Sequence, residues 1–311
     1  MRRVFTRPGN ESRGPWTALL APGSVVLILF FIIPLLLVVV FSVGTINALG
    51  QPEFGHTLAN FRSVFQDYNL APLLRTILFT AVSTVVCLVL GYPVAYLAAR
   101  FARRAGPLIL VLVVLPWLVD YLVRIYAWQS ILAPAGLLAT ALGHLGVGAP
   151  HLINTNWAVI CGLVYGYLPL MILPIYASVT ELRSEVIEAG KDLYGSAAAV
   201  FWKVTFPLTR DGVLGGCLLV ALPMLGDFAT AQFLGGPNST MLGNMINDQF
   251  TDAGSQTVGS ALVVALIALL VLTLVIAMLL GRRRVRMLSV MAPAARPQAE
   301  PVPEPAAGGP A

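Results

Sequence analysis

Six long apolar segments, separated by polar stretches, dominate the pattern of hydrophobic and polar residues along this 311-residue chain. They cover residues 16–43, 73–100, 107–132, 157–179, 213–234 and 258–281. Each is long enough for an α-helix to cross a hydrocarbon core of roughly 30 Å. Because lipid offers no hydrogen-bond partner to a peptide group, a segment that crosses it must be helical. The pattern therefore predicts an all-α integral membrane protein with six transmembrane helices.

The composition agrees with a membrane protein and excludes a soluble globular domain. Hydrophobic residues make up 58% of the chain and charged residues 11%, whereas soluble domains carry about 25% charged residues. One transmembrane domain over residues 16–286 accounts for most of the length, after a polar N-terminal segment, 1–15. The Pro/Ala-rich tail, 287–311, has few side chains to bury, and we expect it to be a disordered cytoplasmic tail.

Positive charge is concentrated in alternate connections between the predicted spans. Most arginine and lysine residues lie in the N-terminal segment, in the turn 100–106, in the segment 180–212 and after residue 281, whereas the other connections contain or border only Arg62 and Arg75. By the positive-inside rule, both termini and the segment 180–212 face the cytoplasm. Topology thus accounts for the net charge of +5, and we expect no nucleic-acid partner.

The sequence contains no pattern typical of a catalytic or nucleotide-binding centre. The phosphate-binding motif G-x-x-x-x-G-K-[ST] is absent, so we expect no ATP site in this chain. The three cysteines, Cys87, Cys161 and Cys217, lie within apolar segments and have neither zinc nor disulfide spacing. His144 and His151 have no carboxylate or cysteine near them in the sequence, which argues against a metal site. We therefore predict that the chain is not an enzyme and holds no catalytic residue, metal or cofactor.

The long polar segment 180–212, between the fourth and fifth spans, has the pattern of two short amphipathic helices. Apolar or small residues recur at helical spacing in its first half; they are Leu182, Val186, Ala189, Gly190 and Leu193. Ser184 is a candidate N-cap, and the tripeptide Tyr194-Gly195-Ser196 is expected to end this helix. A second helix is predicted over 197–204, with Pro207 ending it. Because helices this short cannot span a bilayer, the segment either rests on the membrane or fills a groove on a soluble partner.

The EAA loop of the membrane subunits of binding-protein-dependent ABC importers resembles residues 188–208, EAGKDLYGSAAAVFWKVTFPL. Glu188, Ala189 and Pro207 fall on the family's pattern, and Gly190 stands for its second alanine. Tyr194 occupies the position of the family's glycine, and Gly195 follows it. In that family the loop docks into a cleft on the ATPase subunit and carries the motion of that subunit to the membrane.

The resemblance implies the ABC importer permease fold, which is MetI-like, with a cytoplasmic EAA coupling loop, 180–212, between helices 4 and 5. It implies ATPase-coupling roles for a set of residues in this loop, namely Glu188, Ala189, Gly190, Asp192, Tyr194 and Gly195. ATP would be used by the partner ATPase subunit.

Further stretches resemble the first of the two permeases in spermidine/putrescine importers. They include LVLGYPVAYLAAR, ICGLVYGYLPLMILPIYASV and FLGGPNSTMLGNMINDQF. This resemblance implies a permease subunit in a bacterial cytoplasmic membrane that forms the path for a polyamine. The implied partners are an ABC ATPase dimer, a second and paralogous permease, an extracytoplasmic substrate-binding protein and membrane lipid. Relatives that carry ferric iron, thiamine or phosphonate share the same core, and a secondary transporter or channel is the more distant alternative.

Ionisable residues inside the apolar segments are candidates for the substrate path, because such residues are costly at membrane depth and usually face a cavity or a partner. Asp120 and Arg124 are four residues apart and can pair on one helix face. Asp227 has no basic neighbour in its own segment, so it either lines the path or makes a buried structural hydrogen bond. Trp117 and Tyr121 belong to a set of aromatic residues that line the path, pack between helices or form a belt at the membrane interface; the others are Tyr126, Trp128, Tyr165 and Tyr167.

Overall fold

The computed structural model describes residues 22–47, 51–101, 105–144, 151–251 and 255–291. The predicted N-terminal segment 1–15, most of the predicted tail and the arginines of the turn after residue 101 lie outside the described residues.

Helices make up nearly all of the regular structure in the described ranges. They are α1 (Pro22–Ser42), α2 (Ala59–Val64), α3 (Asp67–Arg100), α4 (Gly106–Val114), α5 (Tyr121–Leu132), α6 (Leu137–His144), α7 (Asn156–Glu181), α8 (Ser184–Tyr194), α9 (Ala197–Leu208), α10 (Arg210–Leu225), α11 (Ala229–Leu234), α12 (Leu242–Thr251) and α13 (Gln256–Met291). A single antiparallel hairpin joins β1 (Thr45–Ile46) to β2 (Pro52–Glu53). The all-α prediction is confirmed.

Five helical stretches in the described part of the chain are long and apolar enough to cross a membrane, and a sixth crossing results if the bent pair α9 and α10 counts as one span. The helices α1 and α13 present many exposed leucine, isoleucine and valine side chains, as expected for surfaces that contact lipid. The third and fifth predicted spans nevertheless differ from the expectation, because neither is a continuous helix.

The third predicted span, 107–132, is broken near its middle. The helix α4 ends at Val114 and continues as a 3-10 turn to Leu118, after which Val119 has an extended backbone with φ −66° and ψ 142°. Asp120 then caps α5 by accepting hydrogen bonds from the backbone N–H groups of Leu122 and Val123. A hydropathy window averages over such a break, since most of the flanking residues are apolar.

The fifth predicted span, 213–234, is broken in the same way. The helix α10 ends at Leu225, and α11 begins at Ala229. Between them, the side chain of Asp227 accepts a hydrogen bond from the backbone N–H of Thr230 and so satisfies one of the free donors of the new helix.

The protein's main core lies where α3 and α7 pack along each other, with α10 against both. Arg100, at the end of α3, donates a hydrogen bond to the carbonyl of Leu182 just beyond the end of α7, so these two helices run in the same direction. A Cβ atom at Gly212 of α10 would lie 2.6 Å from the carbonyl oxygen of Pro174 on α7. Glycine is therefore required for this close approach, as is typical of helix interfaces in membranes.

Candidate substrate path and coupling loop

Asp227 is the centre of a buried hydrogen-bonded cluster at the break between α10 and α11. The residue is 5% exposed. The oxygen Oδ2 accepts hydrogen bonds from the hydroxyls of Tyr121 at 2.6 Å, Tyr167 at 3.0 Å and Thr230 at 3.0 Å. The other oxygen, Oδ1, accepts from the backbone N–H of Thr230 at 3.0 Å. Four donated hydrogen bonds from α5, α7 and α11 thus stabilise this carboxylate, which forms no salt bridge with any residue that the structure describes.

A pocket of about 250 Å³ opens onto this carboxylate. Its lining is mostly aromatic or small, and consists of Tyr121, Tyr167, Pro223, Gly226, Asp227, Phe228 and Ala229. The faces of aromatic rings attract cations, and a carboxylate adds a full negative charge. The pocket therefore has the chemistry to hold an ammonium group.

Asp120 and Arg124 do not form the ion pair that their spacing predicted. The carboxylate of Asp120 caps α5 instead, and the single salt bridge among the described residues joins Arg183 to Glu185 at 3.3 Å on the surface. The guanidinium of Arg124 lies 5.7 Å from the centre of the Tyr121 ring. Its charge is thus placed beside the tyrosine that donates to Asp227.

The other aromatic candidates separate into different environments. Trp117 is partly exposed on the 3-10 turn that follows α4, and it does not line the pocket around Asp227. Trp128 packs edge-on against Tyr165, with 5.4 Å between the ring centres, and Tyr126 packs against Phe233, with 5.2 Å between the ring centres. Of the aromatic set, the structure brings only Tyr121 and Tyr167 to Asp227.

Thr230 and Phe228 were not recognised from the sequence as part of the site. Thr230 contributes both a hydroxyl and a backbone N–H to Asp227. The available signal was Gly226 followed by Asp227, with Thr230 three residues after the aspartate, which is the spacing of a helix cap. Inside an apolar segment this signal is hidden by the assumption of a continuous helix.

The coupling loop consists of α8 and α9, joined at Gly195. This glycine has φ 69°, in the left-handed region, and its N–H donates to the carbonyl of Lys191 at 2.8 Å. The hydroxyl of Ser196 then caps α9 by accepting from the N–H of Ala199. The predicted break at Tyr194-Gly195-Ser196 is confirmed. Glycine suits this position because it adopts the left-handed backbone conformation without the steric cost that a Cβ imposes.

Two details of the loop differ from the prediction. Arg183, rather than Ser184, occupies the N-cap position of α8, and no side chain caps this end. Pro207 does not end the second helix, which continues to Leu208. A π-helical turn over Phe201–Thr205 precedes the proline, so that Pro207 lies in the first turn of a new α-helical segment, where its missing N–H is tolerated.

The residues that the sequence predicts to couple to an ATPase lie mostly on the outside of α8. Glu188, Ala189, Asp192, Tyr194 and Gly195 are exposed. By contrast, Gly190 is buried, and a Cβ atom there would lie 3.2 Å from Cγ2 of Val204 and 3.3 Å from Cγ1 of Val200. A small residue at position 190 thus allows α8 to pack directly on α9.

Large apolar side chains of the loop remain uncovered. Leu193 is 73% exposed and Trp202 is 64% exposed, while Val186 is also exposed. The apolar face of α8 that the sequence predicted is therefore present, but the described part of this chain does not bury it.

Within the described residues, no group of three or more histidine, cysteine, aspartate or glutamate side chains is placed to hold a metal ion.

Comparison with known proteins identifies the family. Residues 87–286 match the model of the binding-protein-dependent transport system inner membrane component. The chain is 37% identical to the spermidine/putrescine transport system permease protein PotB of Haemophilus influenzae over 240 residues, which cover 76% of this chain and 84% of that protein. It is 35% identical to PotB of Escherichia coli K12 over 237 residues, covering 76% and 86% of the two chains.

A solved structure has the same fold. A chain of a bacterial ABC transporter involved in the import of the acidic polysaccharide alginate superposes with a TM-score of 0.71, covering 88% of this chain and 96% of that chain at 14% sequence identity. The predicted ABC importer permease fold is confirmed. The matched family model covers more than half of the chain, which is therefore a multi-pass inner membrane protein that belongs to the family of inner membrane components of binding-protein-dependent transport systems.

Proposed function

We propose that this chain is the permease subunit of an ABC importer and forms the transmembrane path for a polyamine, which an extracytoplasmic binding protein delivers. The similarity to permeases named for spermidine and putrescine supports the solute class. The observation that carries the proposal is the pocket in which the Asp227 carboxylate lies between Tyr121, Tyr167 and Phe228.

The chemistry of the pocket suits a linear polycation. Each ammonium group of a polyamine loses water as it enters the path, and this loss raises the barrier to passage. The carboxylate and the aromatic faces replace part of that hydration. Because Oδ2 of Asp227 is already hydrogen-bonded to three hydroxyls, an ammonium group competes with existing partners, which keeps its binding weak enough for release. An anionic solute such as phosphonate would be repelled at the same place.

The energy for transport comes from a separate ATPase dimer, which binds to α8 and α9. The exposed apolar side chains of this loop, including Leu193 and Trp202, fit a groove on a soluble protein. The resemblance of residues 188–208 to the EAA loop supports a contact at Glu188 and its neighbours. The second permease is a paralogue, and both termini lie in the cytoplasm together with the coupling loop, as the distribution of arginine and lysine indicates.

The test uses the complete complex, with the ATPase, the second permease and the binding protein, reconstituted into vesicles. We expect Asp227→Asn to reduce spermidine uptake about tenfold, which corresponds to roughly 1.4 kcal/mol, while assembly and basal ATP hydrolysis stay unchanged. Asparagine keeps the shape of the side chain but removes its charge.

Asp120→Asn is the matched control. Asp120 is the other aspartate at a helix break, it is exposed, and it does not line the pocket. Since asparagine caps a helix as well as aspartate does, this variant should transport spermidine at the wild-type rate. Wild-type uptake by Asp227→Asn, or equal losses in both variants, would remove Asp227 from the path.

A further inference from the structure

The junction between the coupling loop and the membrane helix α10 is a sharp bend held by a buried hydrogen bond. The chain bends by 66° between α9 and α10, and Thr209 is the single residue between these helices. Thr209 is completely buried, and its Oγ1 lies 2.8 Å from the hydroxyl of Tyr92 on α3. Tyr92, on a third helix, therefore contacts the residue at which the chain bends.

The direction of this hydrogen bond follows from the hydrogens available. The hydroxyl of Thr209 donates to the carbonyl of Thr205 at 3.0 Å, and it has only one hydrogen to give. The hydroxyl of Tyr92 is thus the donor to Thr209. Two consecutive hydrogen bonds thus connect Tyr92 on α3, through Thr209 at the bend, to Thr205, the last residue of the π-helical turn.

The bend is also enclosed by packing on two sides. The ring of Tyr92 meets Phe201 edge-on at 5.3 Å and lies 5.8 Å from Phe206, both on α9. On the other side, Gly212 lies against α7, where a Cβ atom would overlap the Ser178 side chain. The start of α10 is therefore confined between α3 and α7.

A π-helical turn interrupts the regular hydrogen bonding of an α-helix, and such turns are frequent at functional sites. If the bend at Thr209 were free to open, movement of α8 and α9 would change the angle there and would not reach α10. The far end of α10, at Leu225, is followed directly by Gly226 and Asp227. Fixing the bend thus allows α10 to transmit movement to the pocket.

We propose that Tyr92 and Thr209 are positioning residues that fix the angle between α9 and α10, so that movement of the coupling loop reaches Asp227. This inference rests on the proposed coupling of α8 and α9 to an ATPase. It assigns to α3 a role that no feature of the apolar segment 73–100 indicated.

The test compares Tyr92→Phe with the wild-type complex. The variant keeps the ring and its contacts with Phe201 but loses the hydrogen bond to Thr209. We expect assembly and ATP hydrolysis to persist while the amount of spermidine transported per ATP falls about fivefold, the order expected for one buried hydrogen bond. Thr209→Val should have a similar effect, and the double variant should be no worse than Thr209→Val alone, because both changes remove the same bond.

Tyr96→Phe is the matched control. Tyr96 lies one turn further along α3, with its ring 6.5 Å from that of Tyr92 and 6.4 Å from that of Phe201. Its hydroxyl makes no hydrogen bond within the part of the chain that the structure describes, so its removal should leave transport per ATP unchanged.

A second readout does not depend on the transported solute. Spin labels at the exposed positions Ala198 and Leu219 report the angle between α9 and α10, and Tyr92→Phe should broaden the distribution of distances between them. An unchanged distribution would overturn the inference even if the solute is not a polyamine. Absence of spermidine uptake by the wild-type complex, together with a broadened distribution in Tyr92→Phe, would instead overturn the proposed solute and retain the fixed bend.

Discussion

At the scale of single residues, two aspartates in apolar segments have different surroundings in the structure although their sequence settings are similar. Asp120 and Asp227 each accept backbone hydrogen bonds at the start of a new helix. Asp120 is exposed, whereas Asp227 is buried and accepts hydrogen bonds from hydroxyls on three helices. Helix capping therefore explains why an aspartate is present at both breaks. Asp227, which lies in a pocket, differs from Asp120 in that the hydroxyls of Tyr121 and Tyr167 both donate to it.

Tyr167→Phe tests whether the hydroxyls around Asp227 hold the carboxylate in position. The variant removes one donor to Oδ2 and leaves the two others, from Tyr121 and Thr230. We therefore expect spermidine uptake to fall by up to about fivefold, the order of one hydrogen bond, and to fall less than in Asp227→Asn. The measurement is initial uptake by the reconstituted complex.

Tyr165→Phe serves as the control for this change. Tyr165 is on the same helix, packs against Trp128 and does not line the pocket around Asp227. Its variant should transport normally. A loss in Tyr165→Phe as large as that in Tyr167→Phe would show that the effect arises from general packing of α7.

At the scale of helices, the sequence was informative about lengths and uninformative about breaks. Apolar length predicted six crossings, and amphipathic spacing with Gly195 predicted the two helices of the coupling loop. The breaks at Val119 and Gly226 depend on backbone angles and side-chain capping, which a hydropathy average does not contain. The prediction that Pro207 ends the second helix of the loop was wrong for a related reason. The π-helical turn before the proline places it in the first turn of an α-helical segment, where a helix tolerates it.

The contact between α8 and α9 leads to a prediction about Gly190. Leucine at this position would have to displace Val200 and Val204, since even a Cβ atom lies within 3.3 Å of both side chains. Overpacking of this kind costs about 1–3 kcal/mol. We expect Gly190→Leu to lower the thermal stability of the complex and to reduce binding-protein-stimulated ATP hydrolysis.

A second substitution separates packing within this chain from contact with the ATPase. Adding Val204→Ala creates space for the new side chain, so the double variant should recover part of the lost stability and activity. Gly190→Ala needs only a small shift of the two valines and should have a mild effect. If Gly190→Leu proves as stable and active as the wild-type complex, α8 does not pack on α9 as the structure describes.

At the scale of the whole molecule, one continuous path of contacts joins the coupling loop to the pocket. It begins at the exposed apolar side chains of α8, crosses the contact at Gly190 to α9, turns at Thr209 and follows α10 to Asp227. Only the two ends of this path were recognisable from sequence, as a family-like motif and as an unpaired charge. The bend between these ends could not be predicted from the sequence, because it depends on contacts with α3 and α7.

The distribution of charge predicts the orientation of this path across the membrane, and labelling tests the prediction. The described arginines and lysines are concentrated near the coupling loop, and Arg100 is hydrogen-bonded to Leu182 at that end. From the positive-inside rule we therefore predict that this end faces the cytoplasm. Single cysteines are introduced at Asn238 and at Ser289 in a chain whose Cys87, Cys161 and Cys217 have been replaced. Asn238 is exposed beyond the opposite end of the bundle, whereas its neighbour Ser239 is buried and would label poorly.

An impermeant thiol reagent applied to spheroplasts should label Asn238→Cys and should leave Ser289→Cys unlabelled until the membrane is permeabilised. Permeabilised cells show that both positions are reactive, and the chain without cysteines sets the background. Both variants must support spermidine uptake, so that the labelled molecules are the transporting ones. Labelling of Ser289→Cys in sealed spheroplasts would place the C-terminal end of α13 outside. In that case α8 and α9 would face away from any cytoplasmic ATPase, and the coupling role of Glu188 and Gly195 would fail with the topology.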